Sequence, residues 1–302
     1  MAPTPFGFLV LDKPAGPTSH DCVSRVRRAY GLRRVGHGGT LDPAVTGVLP
    51  IAVGAATRLL PYLPGDKAYR GTIQLGLTTA TDDLQGEVLQ RRDPPSLTAA
   101  ELEDLLQAFR GSIQQRPPQV SAVHVNGERA YSLVRRGAIP ELAARPVTIS
   151  RLILLDWDPA HACLSLEVDC SAGTYIRALA RDIGERLGCG ACLASLRRTR
   201  ALGFCLEAAL PLERLEAAVG QDPPPLSDPL PALAHLPRQQ LLPEEFEGWR
   251  CGRRLDVSTA ATAGLQEQQP LLILAPDGGL AGVARLEADG RLQPSLVLDA
   301  RG

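Results

Sequence analysis

The chain has 302 residues, 44% hydrophobic and 22% charged, with a formal net charge of −1. That is room for one large domain with a small appendage, or for two ordinary domains. No apolar run approaches the roughly 18 residues of a membrane span. The opening MAPTPFGFLVLDKPAG lacks a basic stretch followed by a long apolar one, so the sequence reads as cytoplasmic, without a signal peptide.

Taken in order, GFLVLDKPAG is a short apolar strand ending in a Pro/Gly turn. PTSHDCVSRVRRAYG has helical spacing, with Thr18 or Ser19 as its cap and Cys22, Val23, Val26 and Tyr30 on one face. A glycine-lined loop follows, GHGGTLDPAVTGVLP. VLPIAVG then reads as a buried strand and AATRLLPYL as a short helix. KAYRGTIQLGLTT alternates like a strand, and TDDLQGEVL supplies a turn and a return strand. SLTAAELEDLLQAFRG is the clearest helix. Thr98 and Glu101 form a capping box, and Leu102, Leu105, Leu106 and Phe109 make its apolar stripe.

Asn126-Gly127 signals a hairpin. VTISRLILLDWD and CLSLEVDCSAG are strands, and TYIRALARDIGERLG is an amphipathic helix opened by Thr174. Irregular interleaving of strands and helices predicts an α+β domain with a mixed or antiparallel sheet over residues 1–221. Residues 222–237 hold six prolines and read as a linker without regular structure. Residues 238–302 form short strands broken by Gly-Gly and Asp-Gly turns. A tail of that size is marginal alone and is expected to pack on the main domain.

Of 32 basic residues only Lys13 and Lys67 are lysines. The arginines cluster at Arg25, Arg27, Arg28, Arg33 and Arg34, and again at Arg197, Arg198 and Arg200. Such clusters can follow a phosphate backbone on a neutral molecule, although charge runs are more often solvated faces. The seven cysteines are an odd number. The single Cys-x-x-Cys, Cys189 to Cys192, lacks a second pair at zinc-like spacing, so all seven read as small core residues.

The glycine-lined loop is not a phosphate loop: a dinucleotide fingerprint needs glycine at Leu41, and a P-loop ends in Gly-Lys-Ser/Thr. What it holds is one carboxylate, Asp42, kept extended by Pro43, with Gly36, Gly38 and Gly39 permitting close approach by a ligand. Tyr69 opens a strand, and Tyr175 and Arg177 open a helix just after one, where loops commonly carry function. Each has a structural reading beside the functional one: an Asp-Pro turn, an edge aromatic, a first helical turn. Asp82 and Asp83 read as a turn rather than a metal site. No nucleophile elbow, His-Glu-x-x-His, P-loop or zinc quartet is present, so neither a metal nor a nucleotide cofactor is expected.

Four blocks, GHGGTLDPAVTGVLPIAVGAATRL, DKAYRGTIQLGLTTATDDLQGE, RPPQVSAVHVNGERAYSLVRRG and SAGTYIRALARDIGERLGCGACLASLRRTRALGF, stand in the order found in the TruB family. From about residue 6 to residue 215 the chain resembles these tRNA pseudouridine(55) synthases. LAGVARLEADGRLQPSLVLD resembles the end of their small RNA-binding PUA-type β domain. The resemblance makes Asp42 the catalytic aspartate, Tyr69 the residue stacking on the target base, and Arg177 the partner of the aspartate. Tyr175 and Leu196 match further pocket residues, and His37 matches a histidine that fills the space left by flipped bases. Gly38 stands where relatives often carry threonine, His124 and Glu128 where basic residues are common, and Val120 where an aromatic is often seen.

The implied partner is the T-arm stem-loop of tRNA, with no obligatory protein partner, no membrane, and a monomeric enzyme. The implied chemistry detaches uridine at its N1–C1′ bond, turns it, and rejoins it through C5. No atoms or electrons are gained, which agrees with the missing cofactor motifs. Attack by Asp42 at C1′ or C6 and a glycal-like route all remain compatible with these residues. An opposing guanidinium would favour the ionised carboxylate in a pocket that excludes water, and Arg177 is the candidate. Two other readings stay open: an RNA-folding module whose catalysis is secondary, and a guided synthase within a ribonucleoprotein.

Overall fold

The computed structural model describes residues 4–125, 127–256 and 266–298. The chain begins with β1 (Gly7–Lys13), α1 (Ser19–Tyr30), β2 (Val35–His37) and β3 (Thr46–Val53). After two 3-10 turns come β4 (Lys67–Leu75), β5 (Leu77–Thr79), β6 (Val88–Arg91), α2 (Ala99–Gln107) and β7 (Gly111–Gln115). A small insertion carries β8 (His124–Val125), β9 (Glu128–Arg129) and α3 (Ala130–Arg135). Then follow β10 (Arg145–Asp158), β11 (Cys163–Cys170), α4 (Ile176–Leu187), β12 (Ala191–Ala201), β13 (Phe204–Cys205), β14 (Leu210–Pro211) and α5 (Leu212–Ala217). The last part holds α6 (Pro229–Ala232), β15 (Arg238–Gln240), α7 (Pro243–Arg250), β16 (Leu255–Asp256), β17 (Pro270–Leu274), β18 (Leu280–Leu286) and β19 (Arg291–Val297).

The main sheet runs β14-β1-β3-β12-β4-β11-β10-β7, with β2 on β3 and β13 on β12. It is mixed: β1–β14 and β3–β12 pair in parallel, the rest antiparallel. This is the predicted α+β class. Its two halves differ in cover. β1 and β3 are buried nearly throughout. One core there joins them to α1 and α5, and another joins Phe8 and Ala52 to Leu272, Val283 and Leu296 of the second sheet. β11 instead alternates buried and half-exposed residues, the mark of a sheet with one packed face. Its packed face meets α2 and α4 in a separate core.

The tail therefore packs on the main domain as expected, as a five-stranded sheet β15-β17-β18-β19-β16. The segment expected as an irregular linker departs from that reading. Pro229–Ala232 form one helical turn, capped by Asp228, whose Oδ1 accepts from Leu230 N at 2.9 Å. Proline fits there because the first helical position needs no N–H donor. Leu233 is fully buried, and Phe8 and Ser227 form a two-way β-bridge.

The predicted capping box of Thr98 with Glu101 is present, and the cap of α1 is Thr18, which forms a further box with Asp21. α4 differs: its N-cap is Tyr175, with no side-chain cap, so Thr174 does not open it. AATRLLPYL forms 3-10 turns, Gly54–Arg58 and Leu60–Tyr62, rather than one helix. β8 and β9 make the expected hairpin, with His124 opposite Arg129; Asn126 of its turn lies outside the described residues. All seven cysteines are free, four of them buried.

Candidate active site

The parallel contact between β3 and β12 is brief, pairing only Arg197 with Thr46 and Arg198 with Gly47. A Cβ on Gly47 would stand 2.2 Å from the Arg198 carbonyl oxygen, and its φ is +104°, so only glycine allows the strands to approach this closely. The loop preceding β3 occupies the end of this seam and carries Asp42.

That loop is tied to several parts of the fold. Gly38 N donates to Pro50 O at 2.8 Å. Leu41 N donates to Ser19 Oγ at 2.8 Å, and the same hydroxyl donates to Leu41 O at 3.1 Å. Gly16 N reaches Pro43 O at 2.9 Å. Lys13, wholly buried, donates from Nζ to Pro14 O at 2.8 Å, Pro17 O at 2.9 Å and Pro43 O at 3.1 Å. The ammonium's three protons are thus all used. A compact ammonium suits three converging carbonyls better than arginine's planar fork. Burial pushes the Lys13 pKa down, with the Asp42 charge opposing in part. Sequence reasoning passed over Lys13; the available signal was a lysine retained in an arginine-rich chain.

Arg177, 7% exposed, projects from the first turn of α4 between two carboxylates. Its Nε lies 3.1 Å from Asp42 Oδ2 and 3.6 Å from Asp83 Oδ2. Its other nitrogens are fixed by backbone: Nη1 donates to Thr81 O at 2.8 Å and Nη2 to Val120 O at 2.9 Å. Asp83 is caged in turn, with Oδ1 accepting from Thr81 Oγ1 at 2.6 Å and Gln85 N at 3.0 Å. Asp82 adopts φ +60° and pairs with Arg181 at 3.0 Å. The two acids read as a turn from sequence are that turn, and each also meets an arginine of α4. Asp42 keeps 44% of its side chain exposed, facing open space rather than a closed pocket.

That space is a cavity of about 250 Å³ lined by Asp42, Lys67, Tyr69, Tyr175, Arg177 and Leu196 among others. A neighbouring hollow of about 300 Å³ shares Asp42, Arg177 and Leu196 and adds Asp83. Tyr69 is not on an edge: β4 lies between β12 and β11, with Tyr69 opposite Arg198 and Val168. Leu196 lies against Gly71, where a Cβ would come within 2.9 Å of its Cδ1. Register shifts between Leu193 and Ser195 and between Arg198 and Arg200 bracket this stretch of β12. Bulges commonly re-aim side chains beside active sites. Burial pushes the Tyr69 and Tyr175 hydroxyls up from their ordinary values, so both phenols are protonated donors at neutral pH.

Of the six residues named from sequence, five line this one cavity. His37 does not. It sits half-buried on β2, with Nδ1 lacking a hydrogen-bond partner among the described residues, and burial pushes its pKa down. The SLRRTR cluster is not a free basic strip either. Arg197 pairs with Asp12 at 2.7 Å, Arg200 with Asp169 at 3.2 Å, and Arg198 is fully buried. Among the described residues no cluster of three metal-ligating side chains occurs. No helix there is long and apolar enough to cross a membrane. The chemistry at hand is a carboxylate locked against a guanidinium, beside an aromatic face and an aliphatic wall.

Residues 27–176 match the family model for the N-terminal domain of TruB family pseudouridylate synthases, and residues 177–243 match that for the C-terminal domain of tRNA pseudouridylate synthase B. The chain is 61% identical over 298 residues to a tRNA pseudouridine synthase B of Parasynechococcus marenigrum, covering 99% of each. It is 51% identical over 295 residues to that of Gloeobacter violaceus, covering 97% of this chain and 98% of the relative. Among solved structures, a Cbf5-Nop10-Gar1 complex contains a chain of 26% identity with a TM-score of 0.73, over 98% of this chain and 86% of that one. An H/ACA RNP bound to a substrate RNA containing 2′-deoxyuridine gives a TM-score of 0.71 at 24% identity, over 97% and 85%; this likeness concerns the fold. With both domain models matched in order and full-length relatives above half identity, the chain belongs to the TruB family of pseudouridine synthases.

Proposed function

We propose that the chain isomerises uridine 55 in the T-arm loop of tRNA, with Asp42 as the catalytic carboxylate. The relatives' names support tRNA as substrate. The observation that carries the residue assignment is the 3.1 Å contact between Arg177 and Asp42 at the wall of a cavity shared with Tyr69 and Leu196. A uridine inside a folded loop must be extruded, at a few kcal/mol, and stacking on an aromatic ring offsets part of that. Tyr69 provides the stacking face, Leu196 and Tyr175 bound the base, and the arriving nucleoside covers the exposed part of Asp42. His37, outside the cavity, serves the RNA loop that the base has left. Residues 1–221 carry the chemistry, 222–237 connect, and 238–302 act as a PUA-like RNA contact. The protein works in the cytoplasm as a monomer, without a guide RNA or protein partner.

The test is pseudouridine mapping in an unmodified tRNA transcript incubated with purified protein. One uridine, in the T loop, is expected to convert without any added RNA or protein. Asp42→Asn abolishes conversion while retaining most RNA affinity; an active Asn variant would refute the assignment.

A further inference from the structure

Lys67 plays no part in the scheme above, yet it lines the same cavity as Asp42. It lies two residues before Tyr69 on β4, so both side chains leave the same face of the strand. Among the described residues it has no ion pair and no hydrogen-bond partner. Behind it lies Arg198, fully buried. This guanidinium donates to Val48 O at 2.8 Å and Gly39 O at 3.1 Å but, among the described residues, pairs with no carboxylate. Gly39, at φ +106°, faces both cations: a Cβ there would stand 3.5 Å from Arg198 Nη1 and 4.0 Å from Lys67 Nζ.

Unsatisfied donors collect at the same place. Among the described residues, Ser121 Oγ and Thr174 Oγ1, both lining the cavity, and Arg198 Nη1, close to Gly39, are buried without hydrogen-bond partners. Thr174 stands beside the Cys170 thiol, Ser121 beside the Tyr175 hydroxyl and Arg198 beside the Tyr69 hydroxyl, interactions that fall short of full hydrogen-bond geometry. Buried polar groups are ordinarily paired, and two neighbouring cations without a carboxylate repel each other. An anion with several acceptor oxygens would satisfy the Ser121 and Thr174 hydroxyls and offset the charge of both cations.

We infer that Lys67, flanked by Ser121 and Thr174 and backed by the charge of Arg198, forms a phosphodiester subsite that grips the backbone next to the extruded uridine. This rests on the RNA-isomerase reading above. A nucleotide swung into the cavity brings its phosphates with it, and these lose water on entry. A lysine at the wall replaces that hydration with a charge-assisted bond. Arg198 stays out of contact and adds only its field.

The probe is an RNA stem-loop carrying the target uridine, with a neutral methylphosphonate at the phosphate either 5′ or 3′ of it. One of the two linkages is expected to slow single-turnover conversion by the wild type about tenfold or more, the loss of one hydrogen bond to a charged group. Lys67→Met should show that loss on ordinary RNA and no further loss on the modified RNA. It should also flatten the logarithmic salt dependence of binding by about 0.7, as for one phosphate contact on a single strand. Lys67→Arg should recover part of the affinity. Binding by the Asp42→Asn protein reads the subsite independently of product formation, so a protein that binds in this pattern without converting uridine would refute the catalytic reading alone. The inference is overturned if neither linkage affects the wild type, or if the linkage effect persists undiminished in Lys67→Met. Should Lys67→Met fail to fold, the wild-type and Lys67→Arg measurements decide between the same outcomes.

Discussion

The Asp42 loop and the segment from 121 to 142 border the same cleft and are held in opposite ways. The loop is bonded to distant parts of the chain: Lys13, Gly16, Ser19, Pro50 and Arg198. The segment is bonded largely to itself, through Ala130 N to Val123 O at 2.8 Å and Tyr131 N to Ser121 O at 3.0 Å. It packs on a small cluster of Val123, Ala130 and Leu142, and its Ile139 is 81% exposed. Few buried contacts and self-contained hydrogen bonds give a low free energy of local opening. On the function proposed above, the carboxylate benefits from a fixed position, whereas a cleft that is to admit folded RNA needs a wall able to part.

Perturbing the two regions should separate rate, global stability and local opening. The largest effect is expected from Arg177→Met, which leaves Asp42 and Asp83 facing each other without their shared cation. Turnover should fall about 10²–10³-fold, comparable to loss of a preorganised donor, with RNA affinity little changed; an unimpaired rate would dismiss the pair as structural decoration. Next comes Lys13→Met, which removes the ammonium's bonds to three partly buried carbonyls, of which Pro43 O keeps its bond from Gly16 N. A stability loss of roughly 3 kcal/mol should appear as a Tm lowered by about 6–12 °C, together with slower turnover. Ser19→Ala removes both bonds to Leu41, so about 1 kcal/mol is expected, measured by denaturant unfolding.

Leu142→Ala tests the other side of the comparison. Amides between 121 and 142 should exchange about tenfold faster, while Tm moves by less than about 2 °C. A Tm loss matching that of Lys13→Met would mean the segment is as integral as the loop. The smallest effect concerns pH. Burial lowers the His37 pKa from its ordinary 6.5, so the unfolded chain takes up the proton more readily than the folded one. This contribution to stability is full above pH 6.5 and is lost as pH falls from there through the folded value. His37→Phe should flatten the stability profile in that window.

Much of the site was legible in the chain itself. Asp42 was marked by the proline after it and the glycines before it, and Tyr69, Arg177, Tyr175 and Leu196 by the resemblance. Lys13 was missed because its partners are backbone carbonyls, which every sequence contains. Asp83 was read only as part of a turn, since its pairing with Arg177 joins segments almost a hundred residues apart. No strand is predicted for residues 191–201, although β12 is a central strand. The run LASLRRTR has no two-residue alternation, because register shifts interrupt it and arginines stand where a buried strand would carry aliphatics. Arg198 shows the same limit from the other side: a surface-looking charge cluster conceals a fully buried cation.

Local pattern by itself determined the elements with strong periodicity or caps, namely α1, α2, β1, β3 and the hairpins of the tail. These depend on neighbours three or four residues away, which a linear chain displays. Tertiary structure alone decided that β3 and β12 meet in a brief parallel seam, and that Arg177 stands between Asp42 and Asp83. It also decided that Lys67 and Arg198 meet near Gly39, neither of them in an ion pair among the described residues. Each depends on which distant segments come within a few ångströms, and electrostatics and desolvation act on that separation rather than on distance along the chain.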